Sequence, residues 1–130
     1  MNIPPNLMYS RSDEWVSVDG NVATIGVTDY AQDQLSDVVY VEITRAVGDT
    51  ADRNQPVASI ESVKAASDVS APVSGKVVAV NEALSKTPEI INKDPYGEGW
   101  ILKVEIADPS QIKTLLSPED YQKYCEERSS

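Results

Sequence analysis

The chain has no histidine, no phenylalanine and a single cysteine, Cys125, among its 130 residues. Without histidine, neither the common zinc centres nor a Ser-His-Asp triad can be assembled, and the cysteine has no imidazole to activate it. One cysteine also excludes an intramolecular disulfide and fits a reducing compartment. We therefore expect no metal site and no catalytic nucleophile, and we interpret Cys125 as a half-buried helix residue.

Basic side chains are scarce as well. The chain has 11 Lys and Arg against 21 Asp and Glu, which gives a formal net charge of -10. A strongly negative protein stays soluble and repels the phosphate backbone of DNA or RNA. Nucleic acid is therefore not expected as a partner.

Long apolar runs and targeting signals are also missing from the printed sequence. No apolar run is long enough to span a bilayer. The opening residues 1–6 contain no basic region followed by an apolar stretch, and no Arg-rich amphipathic segment follows them. We expect no membrane partner and a cytoplasmic location, while the mature form of a mitochondrial matrix protein would look the same.

What the sequence does contain is a series of strand patterns. Alternating or continuous apolar runs predict strands over residues 15–18, 22–27, 38–43, 57–60 and 100–106. A tight turn joins the first two, with Gly20 and Asn21 supplying positive φ. Asp29 and Gln32 have the acceptor-then-Gln spacing of a helix N-terminus, with the Asp29 carboxylate as the capping acceptor, and they predict a short helix that ends near Leu35.

Two helix-start signals follow the last predicted strand. Asp108 precedes Pro109 as an N-cap residue precedes an N1 proline, and Ser117 precedes Pro118 in the same way. These signals predict short helices over about residues 109–127. The chain is therefore predicted to be mainly β, with helices only near its C-terminal end.

One lysine, Lys64, lies between two strand-like runs, with residues 57–60 before it and residues 69–78 after it. A hairpin would hold this primary amine on a rigid loop tip, where a modifying enzyme can reach it and a long attached group can swing. The pattern favours a carrier protein over an enzyme. By itself it allows biotin, lipoate or no modification.

The motifs around Lys64 resemble the H protein family of the glycine cleavage system. The resemblance is carried first by the lysine run of residues 61–69 and by residues 72–75 and 80–84. Other segments agree in order and spacing along about residues 7–126. These segments are residues 14–16, 25–32, Leu35, residues 37–39 and 47–49, Asn92 and residues 94–100.

The resemblance implies a barrel-sandwich hybrid of two antiparallel sheets, like the lipoyl and biotinyl domains, in one domain over residues 1–130. It also implies that Lys64 carries lipoate in amide linkage. In such a system, a non-catalytic carrier shuttles the aminomethyl group of glycine between enzymes. It takes the group from a pyridoxal-phosphate glycine decarboxylase and presents it to a folate-dependent aminomethyltransferase. The other expected partners are dihydrolipoamide dehydrogenase and a lipoate ligase or lipoyl transferase.

Three carboxylates are candidates for supporting this role. Glu61 and Asp68 flank the lysine and can guide a lipoyl ligase or hold the loaded amine. For Asp68 and the distant Glu14, the resemblance suggests contacts with a cationic aminomethyl arm docked on the protein surface. The simpler interpretation is that all three are solvated acids of a soluble protein.

Two positions depart from the family pattern. Asp13 stands where a His is usual, so that any role of that imidazole is absent. Asn54 stands where a Gly is usual, ahead of the strand that enters the lysine hairpin. Because Asn tolerates left-handed backbone geometry better than most residues do, we expect the turn at Asn54 to be kept.

Three alternatives to the glycine cleavage carrier remain open from sequence. The lipoylated protein can act mainly as a donor of lipoyl groups to other enzymes. A biotin carrier is disfavoured, because Lys64 is not flanked by Met as in the biotinyl pattern. An unmodified β-sandwich module would use the exposed hairpin only to contact a partner.

Overall fold

The computed structural model describes residues 1–129, and it folds the chain into two antiparallel sheets with short helices around them. The strands are β1 Met8–Tyr9, β2 Glu14–Asp19, β3 Val22–Val27, β4 Val38–Ile43, β5 Thr50–Ala51, β6 Pro56–Ser62, β7 Ala66–Ser70, β8 Gly75–Val80 and β9 Leu102–Ile106. The α-helices are α1 Asp29–Leu35, α2 Ile90–Lys93 and α3 Pro118–Ser129, and 3₁₀ segments cover Glu82–Ser85 and Pro109–Thr114.

The strands divide into one large and one small sheet. The six-stranded sheet has the order β1-β2-β3-β9-β8-β5, and the three-stranded sheet has the order β4-β6-β7. All neighbouring strands are antiparallel. The predicted fold class, two antiparallel sheets with short C-terminal helices, is confirmed.

The predicted hairpin of β2 and β3 is confirmed, but its turn depends on one residue rather than two. Asp19 pairs with Val22 across a two-residue loop. Gly20 has a φ of 63°, whereas Asn21 is not in the positive-φ region. A two-residue hairpin with glycine in its first position is the type II′ turn, which needs positive φ only there.

Helix α1 lies where the sequence predicted, but with a different cap. The Thr28 side chain accepts a hydrogen bond from the Ala31 N–H, so that Thr28 is the N-cap and Asp29 is the first helical residue. Asp29 instead accepts a hydrogen bond from the Gln32 side chain. The Thr28 hydroxyl, one residue earlier, therefore caps the helix in place of the Asp29 carboxylate.

The run that follows Lys64 forms two strands rather than one arm of a hairpin. β7 ends at Ser70 and stays in the small sheet, while β8 begins at Gly75 and joins the large sheet. Pro72 lies between them, and a proline cannot donate a hydrogen bond to a sheet ladder. The segment after the lysine hairpin thus carries the chain from one sheet to the other.

The main core lies between the two sheets and is aliphatic, as the absence of phenylalanine requires. Ile25 of β3, Ile60 of β6 and Leu102 of β9 have no exposed surface. Burial of each such side chain stabilises the fold by about 1.5–3 kcal/mol before entropy is counted. These contacts hold the lysine-bearing sheet against the larger one.

A second, aromatic cluster joins the N-terminal segment to α3. The rings of Tyr9 and Tyr121 stack with centroids 4.7 Å apart and planes 7° apart. Cys125, one helical turn after Tyr121, is fully buried rather than half-buried as expected, because this face of α3 packs under β1. No helix in residues 1–129 is long and apolar enough to cross a membrane.

Gly26 is required by the packing of Trp15, its partner across β2 and β3. A Cβ atom at Gly26 would lie 2.6–2.7 Å from three atoms of the indole ring. We expect Gly26→Ala to lower the free energy of unfolding by about 1–3 kcal/mol, because overpacking a buried contact forces side chains or backbone to shift. Urea denaturation measures the change.

The control for this prediction is Thr24→Ala on the same strand, where the side chain is only half-buried. Its cost should stay below about 1 kcal/mol. If Gly26→Ala unfolded at the same midpoint urea concentration as the unsubstituted protein, the Trp15 packing would not constrain the hairpin.

Candidate functional site

Lys64 lies at the tip of the hairpin that joins β6 to β7, in a turn that the Ser62 side chain holds together. The Ser62 hydroxyl accepts the N–H of Ala65 at 3.0 Å and that of Lys64 at 3.3 Å, and the Ser62 N–H donates to the Ala65 carbonyl at 2.8 Å. The Val63 N–H donates to the Asp37 carbonyl at 3.0 Å, which ties the tip to the segment before β4. The backbone at the lysine is therefore fixed on both sides.

The Lys64 side chain itself is unconstrained. The residue is exposed, and its ammonium group has no hydrogen bond or salt bridge to any residue in the part of the chain that the structure describes. The hairpin thus presents a primary amine that a modifying enzyme can take without breaking any contact.

Glu14, at the start of β2, is a buried carboxylate with three hydrogen-bond donors. Only 1% of its surface is exposed. Its Oε1 accepts the hydroxyls of Ser10 and Ser12, each at 2.6 Å, and its Oε2 accepts the Ser70 N–H at 3.2 Å. Since Ser70 belongs to β7, the carboxylate connects the large sheet to the last strand of the small one.

Burial raises the pKa of Glu14 above its ordinary value of 4.5. The hydrogen bonds from Ser10, Ser12 and Ser70 stabilise the ionised form and counter part of this rise, while the charge of neighbouring Asp13 adds to it. Ionisation of Glu14 is therefore unfavourable, and a cation placed beside the carboxylate would stabilise its ionised form.

A cavity of about 150 Å³ lies beside Glu14 and runs to the edge of the small sheet. Its walls come from the loop that precedes β2, from α1, and from β6 and β7. The lining residues are Ser12, Asp13, Glu14, Val27, Ala31, Gln34, Leu35, Ile60, Ser67, Asp68 and Val69. The cavity combines an apolar floor with three carboxylates, those of Asp13, Glu14 and Asp68.

The structure therefore brings two of the three candidate acids together. Asp68 lies on β7, four residues after Lys64. Glu61 is also exposed, opposite Ala66 in the register of β6 and β7, but it does not line this cavity. Glu61 is thus separated from the other two.

Asn92, which the sequence motifs included without a role, fixes the α1 wall of the cavity. Its Oδ1 accepts the Val38 N–H at 2.8 Å, and its Nδ2 donates to the Ser36 carbonyl at 2.7 Å and to the Gln32 side chain at 3.0 Å. One amide side chain therefore joins α2 to the end of α1 and to the first residue of β4.

Sequence reasoning missed the donors around Glu14. Ser10 and Ser12 precede the glutamate by four and two residues, a spacing that marks no known motif, and Ser70 contributes its backbone rather than its side chain. It also missed that Asp13 would pair with Arg128, which lies 115 residues away in sequence. The hairpin at Lys64 and the Asn54 turn were foreseen, and the pairing of β6 with β7 and the Asn54 φ of 71° confirm these two expectations.

Comparison with known proteins gives a consistent result. A sequence model of the family described as glycine cleavage H-protein matches residues 7–128. The glycine cleavage system H protein of Carboxydothermus hydrogenoformans is 52% identical over 125 residues, which are 96% of this chain and 95% of that protein. That of Thermotoga maritima is 54% identical over 117 residues, which are 90% of this chain and 94% of that protein.

A plant relative and a solved structure agree with these two matches. Glycine cleavage system H protein 2, mitochondrial, of Arabidopsis thaliana is 49% identical over 125 residues, covering 96% of this chain and 80% of that protein. The crystal structure of a glycine cleavage system H protein from Mycobacterium marinum superposes with a TM-score of 0.83 at 30% identity. The superposition covers 98% of this chain and all of that one.

The raised pKa of Glu14 predicts a specific pH dependence of stability. Between 4.5 and the folded-state pKa, the folded protein binds more protons than the unfolded chain, so that its stability falls as the pH rises through this window. Glu14→Gln removes this dependence and adds only a pH-independent loss, because the amide faces the Ser70 N–H. The stability advantage of the unsubstituted protein over Glu14→Gln should therefore shrink or reverse from about pH 4.5 upwards. The change should be about 1.4 kcal/mol for each unit by which folding raises the Glu14 pKa.

Urea denaturation of both proteins at a series of pH values tests this expectation. Glu105→Gln, which removes an exposed carboxylate on β9, is the control and should leave the pH dependence unchanged. If the stabilities of the unsubstituted protein and Glu14→Gln changed with pH in parallel, the raised pKa of Glu14 would be contradicted.

Proposed function

The chain belongs to the glycine cleavage H-protein family and is a lipoyl carrier of the glycine cleavage system, and we propose that Lys64 is the residue to which the lipoyl group is attached. The observation that carries this proposal is the exposed, unpaired ammonium on a hairpin whose backbone is held by Ser62 and Asp37. Amide formation removes the charge of the lysine. Because that charge pairs with nothing in the described residues, its loss disrupts no contact of the fold.

The residues present fit such a group. The hairpin supplies a fixed base for a flexible arm, and the cavity beside Glu14 supplies a place to which the end of the arm can return. When bound, the lipoyl group supplies the disulfide and dithiol chemistry of the transfer. Tethering raises the effective concentration of the cargo at each partner enzyme without tight binding. No side chain of this chain is required to catalyse a step, and we assign it none.

We infer the same transfer of the aminomethyl group between enzymes that the sequence resemblance implied. The carrier receives the aminomethyl group at the pyridoxal-phosphate glycine decarboxylase and delivers it to the folate-dependent aminomethyltransferase. Dihydrolipoamide dehydrogenase then restores the disulfide, and a lipoate ligase or lipoyl transferase installs the group in the first place. We propose that residues 1–130 act as one carrier domain, in the cytoplasm or, as the name of the Arabidopsis relative states for that protein, in a mitochondrion.

Glu14 and Asp68 are proposed to hold the aminomethyl-loaded arm. An aminomethyl amine is cationic at neutral pH, and a buried carboxylate stabilises such a cation by a charge-assisted hydrogen bond. Glu14 is the stronger candidate, because its ionised form is penalised by burial and gains most from a nearby positive charge. Asp68 lies at the open side of the same cavity, and its exposure limits its contribution.

Glu61 is proposed to act at an earlier stage. It lies three residues before Lys64, is exposed, and does not line the cavity. A carboxylate at that position can be recognised by the enzyme that modifies the lysine. It is not expected to hold the loaded arm.

Lys64→Arg tests the attachment site. In cells that have a lipoylation pathway and are supplied with lipoate, the unsubstituted protein should gain the mass of one lipoyl group, which peptide mapping places on Lys64. Lys64→Arg should gain none and keep its fold by circular dichroism, because arginine is not a substrate for amide formation.

Lys76→Arg is the matched control, since Lys76 is also an exposed lysine but lies within strand β8 rather than at the hairpin tip. It should be modified like the unsubstituted protein. A lipoyl adduct on Lys64→Arg, or its loss in Lys76→Arg, would overturn the assignment. A streptavidin-reactive adduct would indicate a biotin carrier instead.

Glu14→Gln and Asp68→Asn test the holding of the loaded arm. With fully lipoylated protein loaded by the glycine decarboxylase, we expect Glu14→Gln to shorten the lifetime of the loaded arm on the order of tenfold, as loss of about 1.4 kcal/mol of charge-assisted hydrogen bonding would. Asp68→Asn should have a smaller effect. Release of formaldehyde and ammonia over time provides the measurement.

Glu105→Gln serves as the control for an exposed carboxylate remote from the hairpin, and its loaded arm should last as long as that of the unsubstituted protein. Equal lifetimes in all four proteins would show that the cavity does not hold the cargo. The attachment of lipoate at Lys64 would be unaffected by that result.

A further inference from the structure

The carboxylate of Asp13, the residue before Glu14, is bound by the C-terminal helix α3. Arg128 of α3 donates to Asp13 twice, from Nη2 to Oδ1 at 2.6 Å and from Nη1 to Oδ2 at 3.0 Å. The guanidinium also lies 4.3 Å from the ring centre of Tyr30 and 4.0 Å from that of Tyr124. A bidentate pair that is stacked between two rings is held in one geometry, unlike an ordinary surface salt bridge.

A second contact from α3 reaches the same carboxylate through a directed chain of hydrogen bonds. The Tyr121 hydroxyl lies 2.8 Å from Asp13 Oδ1 and 2.6 Å from Thr28 Oγ1. Because the carboxylate can only accept, Tyr121 donates to Asp13, and Thr28 therefore donates to Tyr121. Thr28 also accepts the Ala31 N–H as the cap of α1. Asp13 is thus connected to the first turn of α1.

These contacts act on two walls of the cavity beside Glu14. Asp13 has a φ of 72°, and its backbone bonds to Ser10 on one side and to Thr28 on the other. It therefore sets the path of residues 10–14, which bring the Ser10 and Ser12 hydroxyls to Glu14. Helix α1 provides the facing wall. Neither wall would be fixed in this way if α3 were displaced.

We propose that Arg128 is a positioning residue for the Glu14 cavity, acting through Asp13 to hold the loop of residues 10–14 and to offset the negative charge beside Glu14. The proposal rests on the proposed function of this cavity as the place that receives the loaded arm. It gives α3, which lies outside both sheets, a role in how firmly the cargo is kept.

The charges that face Glu14 determine the sign of the effect. Asp13 precedes it on the same segment, Asp68 faces the cavity from β7, and the residues that line it from α1 and β6 carry no charge. Asp13 works against ionisation of Glu14. A cation bound to both oxygens of Asp13 cancels much of that effect, so that Glu14 can stay ionised for a cationic cargo.

The first experiment follows the Glu14 carboxyl carbon by NMR during a pH titration of the unmodified protein. We expect Arg128→Gln to raise the measured Glu14 pKa by about 0.5 and Asp13→Asn to lower it by a similar amount, as partly screened charges do. Arg128→Lys keeps the charge and should stay close to the unsubstituted protein. If the Arg128–Asp13 pair had only a structural role, Arg128→Gln and Asp13→Asn would shift the Glu14 pKa in the same direction.

Lys123→Gln is the matched control, since it removes an exposed cation from the same helix, and it should leave the Glu14 pKa unchanged. Near-ultraviolet circular dichroism of the tyrosine cluster reports whether α3 stays docked in each variant. A Glu14 pKa that is unchanged in both Arg128→Gln and Asp13→Asn, or that moves the same way in both, would overturn the proposal.

The second experiment measures the lifetime of the loaded arm in the lipoylated protein. At neutral pH we expect Arg128→Gln to shorten it about threefold and Arg128→Lys to restore most of the loss. The two proposals fail differently. If Glu14→Gln leaves the lifetime unchanged, the holding role of the cavity is wrong, whereas an unchanged Glu14 titration in the Arg128 and Asp13 variants rejects the positioning role whatever the lifetime is.

Discussion

The Glu14 carboxylate is buried between elements that are far apart in sequence, and its hydrogen bonds decide where those elements can lie. One oxygen takes the Ser10 and Ser12 hydroxyls and the other takes the backbone N–H of Ser70. An ionised group in this position is tolerated only when its acceptors are filled, because an unpaired buried charge costs several kcal/mol. The start of β2 and the end of β7 are therefore held at a fixed separation, and the cavity beside them keeps its shape.

The lysine hairpin depends on this arrangement for its direction. β7 is an edge strand of a small sheet, and an edge strand exposes backbone groups that would otherwise be free to pair elsewhere. The contact of Ser70 with Glu14 ties down its far end, while Ser62 and the Asp37 carbonyl fix its near end. Lys64 thus stands on a hairpin whose backbone is held at both ends. Rigidity in the protein and flexibility in the tether are complementary requirements of transfer between enzymes.

The lack of histidine is consistent with this division of labour. A carrier has to hold its cargo without reacting with it, and carboxylates with filled hydrogen bonds do so without serving as nucleophiles. The cavity also shows how a second carboxylate directly before Glu14 is accommodated. Asp13 is paired with the charge of Arg128 and accepts a hydrogen bond from Tyr121, so that it is not left beside Glu14 as an unpaired charge.

Much of the fold could be read from the sequence, because it is written in local patterns. The strand at residues 38–43, the Gly20 turn, the left-handed Asn54 and the caps at Asp108 and Ser117 each depend on neighbours within a few residues. Lys64 stood out for the same reason. Two local predictions were wrong: Thr28 rather than Asp29 caps α1, and the segment that contains Pro72 leads from the small sheet to the large one. By itself, then, the sequence determined a mainly β carrier with its lysine on a hairpin. Only the tertiary structure decided that Glu14 and Asp68 share a cavity, that Glu61 does not line it, and that Arg128 binds Asp13. Burial and long-range hydrogen bonds exist only once the two sheets and α3 have packed together.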